Sequence, residues 1–470
     1  MNSRLSVLNF VIFTFATVLF GFSPFSNTAG FVTAQSNASV GQNTNDQDAQ
    51  SDTSSAQDIF QTQTTKYHKA FKEFSELLLA APADERAELW KKAPSMETYA
   101  APLWKLVEEH PDEDITLNSL IWMVTYSNHH DAKTIAKSCE TLITNFIDRK
   151  ELESVVMRLG RQDPSAQSYD ALTKLMNDSP HDKVKGMATF AMANFLLESK
   201  TALADKKELE ADGFGPLESD LDFEFIETLD MSDANIKSLY QTAVDDFGDI
   251  KPYPSSSRRM KEIAEGALFE FDNLRIGMEA PEIEGDDLEG TSFKLSEYRG
   301  KVVALIFWGD WSGPCRAMYP HEQSLVKKLA DKPFALIGVN SDRNKKNIKK
   351  ATENKKIGWR NFWDGKRGIE GPISTRWNIS GWPTVYILDE KGVIRFKDKR
   401  GADMDAAVTE LLAEMGHDVD LSNHLNEKLS PTEASESEDK DSADDSADDR
   451  ADRLKKAGIV EPDADQLKRD

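Results

Sequence analysis

Ser312 and Cys315 are the side chains whose chemistry and spacing set the problem. They stand in Trp311-Ser312-Gly313-Pro314-Cys315, a hydroxyl and a thiol about one helical turn apart. A cysteine attacks as its thiolate, and a thiolate is favoured where a helix begins, because the unpaired N–H groups there carry partial positive charge. The Gly313-Pro314 turn is suited to launching such a helix. Cys315 is therefore the candidate reactive group, and Ser312 could hydrogen-bond its thiolate. The competing reading of Cys315 is a small buried residue in the first turn of that helix, with no chemistry.

The other reactive types offer less. The chain has only one more cysteine, Cys139, within a helical stretch at 135–146, where a lone cysteine packs as a small apolar residue. Its neighbour Glu140 would raise its pKa rather than lower it. Two cysteines exclude a structural disulfide framework and a zinc site built from cysteines alone. The eight histidines show no ligand spacing. Ser312 has no assignable His–Asp pair and lies outside any Gly-x-Ser-x-Gly turn, which argues against a serine hydrolase. No metal or other cofactor is expected.

The elements that must position the site alternate. The apolar run Val302–Trp308 reads as a buried strand, closed by a Gly309-Asp310 turn and followed by a helical pattern to about residue 330. Further strand-like runs lie at 335–340, 385–388 and 393–396, and helical runs at 321–329, 345–354 and 405–414. Asp389-Glu390-Lys391-Gly392 reads as a hairpin turn, which makes the last two strands antiparallel. The succession argues an α/β sheet flanked by helices. The lysines of 345–356 mark a solvated helix face.

Residues 61–274 carry a different pattern. Tyr67, Phe71, Phe74, Leu77 and Leu78 fall at helical spacing, as do Leu103-Leu106-Val107, Ile143-Phe146-Ile147, Leu172-Leu175-Met176, Ala191-Phe195-Leu196 and Ile263-Ala267-Phe271. Segments beginning at Leu103, Leu172 and Leu239 resemble one another weakly, at offsets near twice the ~34-residue tetratricopeptide period. An all-helical domain is expected, either tetratricopeptide-like, with a concave face for a protein partner, or a plain bundle.

Residues 1–34 read as a signal peptide: Arg4, an apolar run at 10–22, then small residues up to Ala34. The run is short for a membrane-spanning helix, which needs ~20 apolar residues. Export to the periplasm or cell envelope is expected, with no integral span after cleavage and an anchor if the segment stays. Residues 35–60 are polar and read as a disordered linker, and 417–470 as an acidic disordered tail. The net charge of -24 gives no basic field to hold nucleic acid.

Residues 275–416 resemble the thioredoxin superfamily, in its exported TlpA-like thiol–disulfide oxidoreductase group. The likeness is carried by Ala280-Pro281, by Leu295-Ser296-Glu297-Tyr298-Arg299-Gly300, by Trp308 to Pro320, by Gly338-Val339-Asn340 and by Gly381-Trp382-Pro383-Thr384. It implies a thioredoxin-like α/β domain, with Pro383 as the family's cis-proline beside the active-site loop. It also implies a groove at Trp311, Pro314, Trp382, Pro383 and Thr384 for protein thiols or extended client peptides. The family reaction needs two sulfurs, one to attack a client disulfide and one to resolve the mixed disulfide. Here the attacking position is Ser312. Ile306 stands where many relatives carry a buried Asp or Asn, and Met318 where exported reductases often carry a Glu. The expectation is thiol redox in the envelope with dithiol exchange weakened or lost. The alternatives are a non-catalytic binding module and a one-cysteine peroxidase-like activity at Cys315, although Trp308 stands where peroxiredoxins have proline.

Overall fold

The computed structural model describes residues 47–81, 89–90, 92–127, 131–161, 164–211, 221–253, 258–354 and 357–421. The expected signal peptide, the first part of the expected linker and nearly all of the acidic tail lie outside the described residues.

Helix α1 spans Gln47–Ala80, so it starts inside the stretch read as a disordered linker. That expectation is corrected from Gln47 onward. Ala56, Phe60, Thr64 and Tyr67, at steps of four, four and three, are all buried, and the Phe60 ring meets Trp122 edge-on at 6.4 Å. A sparse stripe at helical spacing is enough to dock a helix that average composition marks as polar. Leu77, placed on the apolar face by the same spacing, instead points outward at 62% exposure.

The helices that follow are α2 (Glu97–Glu109), α3 (Asp114–Tyr126), α4 (Ala132–Phe146), α5 (Glu153–Leu159), α6 (Ala166–Asp178), α7 (Asp182–Ala211), α8 (Phe223–Glu227), α9 (Asp233–Asp245) and α10 (Met260–Asn273). Ser165, Asp222 and Ser232 cap α6, α8 and α9 by accepting a backbone N–H through their side chains. The principal contacts run along the sequence: α1 on α2 and α3, α3 on α4 and α5, α4 on α6, α6 and α5 on α7, α7 on α9, and α9 on α10. The result is an open stack of helices around one continuous core. A regular repeat is not kept, since α7 has 30 residues and α5 has 7.

The second domain opens with the hairpin β1 (Glu284–Asp286) and β2 (Ser292–Lys294). Its main sheet contains β3 (Val302–Trp308), β4 (Phe334–Asn340), β5 (Arg360–Trp363), β6 (Thr384–Leu388) and β7 (Ile394–Lys397), in the order β5-β4-β3-β6-β7. β3 is parallel to β4 and antiparallel to β6, and every one of its residues is buried. Helices α11 (Gly313–Lys328), α12 (Lys345–Asn354), α13 (Pro372–Arg376) and α14 (Ala402–Glu414) complete the α/β domain. A buried pair, His321 Nε2 and Asp405 Oδ1 at 2.9 Å, ties α11 to α14.

β3 ends against a fixed polar contact. The buried Trp308 indole N–H donates to Asn361 Oδ1 at 2.8 Å across Gly338, where any Cβ would collide with both side chains. Because the indole and the carboxamide hold each other, neither can yield. Gly338→Ala should therefore cost about 2 kcal/mol of stability, read by urea unfolding. An unchanged midpoint would show that the pair can move.

Candidate functional site

The central strand β3 delivers the chain to the turn at Gly309 and Asp310, and α11 starts immediately after it. Ser312 is the N-cap of α11, with extended backbone at φ -87 and ψ 118, and Pro314 occupies the first turn. The Cys315 backbone N–H donates to Ser312 Oγ at 3.4 Å. Ser312 Oγ–H donates in turn to the Trp382 carbonyl at 3.2 Å. The serine hydroxyl is thus occupied on both sides, as a helix cap and as a tie between the α11 loop and the segment before Pro383.

Cys315 is 2% exposed, and Ser312 above it is 5% exposed. Burial pushes the Cys315 thiol up, and the Glu322 charge adds to this. The neighbouring Ser312 hydroxyl, a backbone hydrogen bond at Gly309 and the Arg400 charge offset only part of it. The helix N-terminus favours a thiolate in principle, but here the desolvation of an enclosed sulfur outweighs it. Cys139, 1% exposed in α4, has its thiol pushed up to about 12 by burial, as a packed cysteine should.

The structure brings the five groove residues together around this buried thiol. Trp311 is 51% exposed, its ring centroid lies 5.7 Å from that of Trp382, and its indole N–H donates to Ser341 Oγ at 3.3 Å. Pro314 is exposed, Trp382 and Thr384 are half-buried, and Pro383 is buried with a cis Trp382–Pro383 bond. Thr384 Oγ–H donates to the Gly381 carbonyl at 2.8 Å, and Arg400 Nη2 donates to the Pro383 carbonyl at 2.6 Å. Among the described residues nothing accepts the Trp382 backbone N–H.

Residues 276–397 match the AhpC/TSA family. The thioredoxin-like protein YneN of Bacillus subtilis is 34% identical over 125 residues, which cover 26% of this chain and 70% of that protein. The chain belongs to the thioredoxin superfamily, in its redoxin group. The thiol-disulfide oxidoreductase ResA of Bacillus cereus is 28% identical over 130 residues, 28% of this chain and 73% of that protein. Among solved structures, the thioredoxin domain of a thiol-disulfide oxidoreductase from Bacteroides vulgatus is 31% identical and covers 30% of this chain and 99% of that one, with a TM-score of 0.28. The residues matched by the family model lie in the second domain.

Within a thioredoxin-superfamily site, three positions stand out. Ile306, on β3, is 2% exposed and carries no charge. Met318 is half-buried on α11. The third, Glu322, was not singled out by sequence reasoning. It lies seven residues after Cys315 on α11, so Cys315, Tyr319 and Glu322 share one buried face. Glu322 is 3% exposed, and burial pushes its carboxyl up to about 8. The signal for it was available: an acid recurring at i+7 on the apolar face that already held Cys315 and Tyr319. Tyr319 O–H donates to Asp310 Oδ1 at 3.1 Å, and its ring packs edge-on to Trp308 at 5.5 Å, which fixes the wall between the turn and the acid.

Proposed function

We propose that this thioredoxin-superfamily protein is exported, acts in the cell envelope and binds extended client segments, with the dithiol exchange of its relatives lost at Ser312. The observation that carries this reading is the contrast inside one site. The recognition surface is open, with Trp311 51% exposed, while the thiol beneath it is 2% exposed. Two-sulfur exchange needs an accessible thiolate to attack and a second thiol to resolve. Ser312 supplies no sulfur, and its hydroxyl is committed to Trp382 and to the helix cap.

The binding mode follows from the backbone. An extended segment laid along the loop can accept a hydrogen bond from the Trp382 N–H and rest its side chains on Trp311 and Trp382, which is strand addition at a loop edge. Export rests on the apolar run at 10–22 and the small residues that follow. The stacked helical domain is the candidate surface for a second protein partner. A one-cysteine peroxidase role is weakened by the same burial, because peroxide must meet a thiolate.

A reduced, carbamidomethylated, unfolded α-lactalbumin is a suitable probe, since it is extended and has no free thiol. Fluorescence anisotropy with the full chain should show saturable binding. Trp311→Ala should weaken it about tenfold, or about 1.4 kcal/mol. Cys315→Ala should bind as the wild type does. Loss of binding on Cys315→Ala alone, or indifference to Trp311→Ala, would contradict the reading.

A further inference from the structure

We propose that Glu270, in the last helix of the helical domain, is a positioning residue for the client groove, so that the two domains act as one binding unit. This rests on the groove reading above. The geometry begins at the C-terminus of α13. Trp377 is buried in the second domain's core, its ring 5.4 Å from Phe307 and 5.2 Å from Tyr386. Asn378 follows in the left-handed region at φ 52 and turns the chain into the 379–383 loop that ends at Trp382 and Pro383. A non-glycine residue holds that conformation best when its surroundings fix it, and asparagine is among the types that tolerate it.

Its main chain is held locally, with the Asn378 N–H donating to the Thr375 carbonyl at 3.2 Å and the Ile379 N–H to the Ser374 carbonyl at 2.9 Å, and its side chain is held from the other domain. Asn378 Nδ2 donates to Glu270 Oε2 at 3.0 Å, and Lys397 Nζ on β7 donates to Glu270 Oε1 at 3.0 Å. One carboxylate therefore joins the base of the loop to the outer strand beside β6. The helix carrying it approaches closely: a Cβ on Gly266 would stand 2.6 Å from Asn378 Oδ1. Phe269 packs against the second domain's core, and Leu274, just past the helix, is part of that core.

The loop is thus held from both domains. Glu270 holds Asn378 at its start, Ser312 Oγ–H holds the Trp382 carbonyl, and Arg400 holds the Pro383 carbonyl. Thr384 Oγ–H on the Gly381 carbonyl is a further hold inside the second domain, and only the Glu270 contact comes from the helical one. Fixing the loop in advance reduces the ordering cost of binding along it. By reciprocity, a client on the loop tightens the contact between domains.

The test uses full-length Glu270→Ala and Glu270→Gln, the latter keeping an acceptor for the Asn378 amide. Glu270→Ala should weaken binding of the carbamidomethylated chain about fivefold or more. It should also speed deuterium exchange of amides in 379–384 about tenfold, with 302–308 unchanged. Glu270→Gln should stay near the wild type in both. Wild-type binding and exchange in Glu270→Ala, equal damage from glutamine, or faster exchange throughout the chain would each overturn the proposal. If the wild type itself fails to bind the probe, the groove reading falls, and loop exchange alone still decides whether Glu270 holds the loop.

Discussion

Ser312→Cys is expected to convert this protein into a disulfide reductase, with turnover of a model protein disulfide on the order of 10²-fold above the wild type. The substitution puts a sulfur at the N-cap of α11, where the backbone is already extended and the helix N-terminus faces it. A thiol there meets the charge environment that lowers a cysteine's pKa, and it stands beside the half-exposed Trp311. Cys315, three residues on, would then be the resolving thiol. The change also removes a hydroxyl donor from the Trp382 carbonyl, which loosens the loop but frees that carbonyl for a client. The double variant Ser312→Cys/Cys315→Ala should trap a mixed disulfide with the substrate. If Ser312→Cys gains nothing, more than the nucleophile has been lost, and Ile306 and Met318 become the places to look.

Glu322→Gln is expected to stabilise the fold at alkaline pH and to change little at acid pH. The carboxyl titrates near its ordinary 4.5 in the unfolded chain and is pushed up to about 8 in the folded one by burial. Below 4.5 both states hold the proton, and the group adds no pH dependence. Between the two values the unfolded chain releases the proton while the folded chain retains it, so stability falls as pH rises through that window and levels off above about 8. Glutamine has no proton to lose and escapes this penalty. Urea unfolding should show a gain of about 4 kcal/mol at pH 8 and a near-zero difference at pH 4. An equal difference at both pH values would mean that the acid titrates alike in the folded and unfolded chain. The same substitution removes the charge that raises Cys315, so thiol labelling at pH 9 should quicken.

The legibility of this chain differed with how locally each feature is encoded. β3 was readable to the residue because seven consecutive apolar residues are closed by a Gly-Asp turn. The helix of 345–354 and the hairpin at Asp389–Gly392 were equally local, and both stand where the pattern put them. β5 was missed, since Arg360–Trp363 is only four residues and becomes a strand by pairing with β4. The start of α1 was hidden by composition: Ala56, Phe60 and Thr64 are few among polar neighbours, and only their spacing shows the buried face. At the site, family likeness pointed to a cis bond at Pro383, and the Trp382–Pro383 bond is cis. The engagement of Ser312 with Trp382, across 70 residues of sequence, needed coordinates. So did the burial of Glu322, because a helix face says which residues share a side and not how closely that side is covered.

Cys315 is 2% exposed beside a half-exposed Trp311, so the one thiol of this site stays out of reach in the native fold. Labelling of the native full chain with iodoacetamide at pH 7, followed by mass spectrometry of the Cys315 peptide, tests this most directly. Modification should run on the order of 10²-fold slower than that of a free cysteine and become fast only on unfolding. Labelling of native Cys315 at or above the free-cysteine rate would contradict it and return this protein to the redox enzymes.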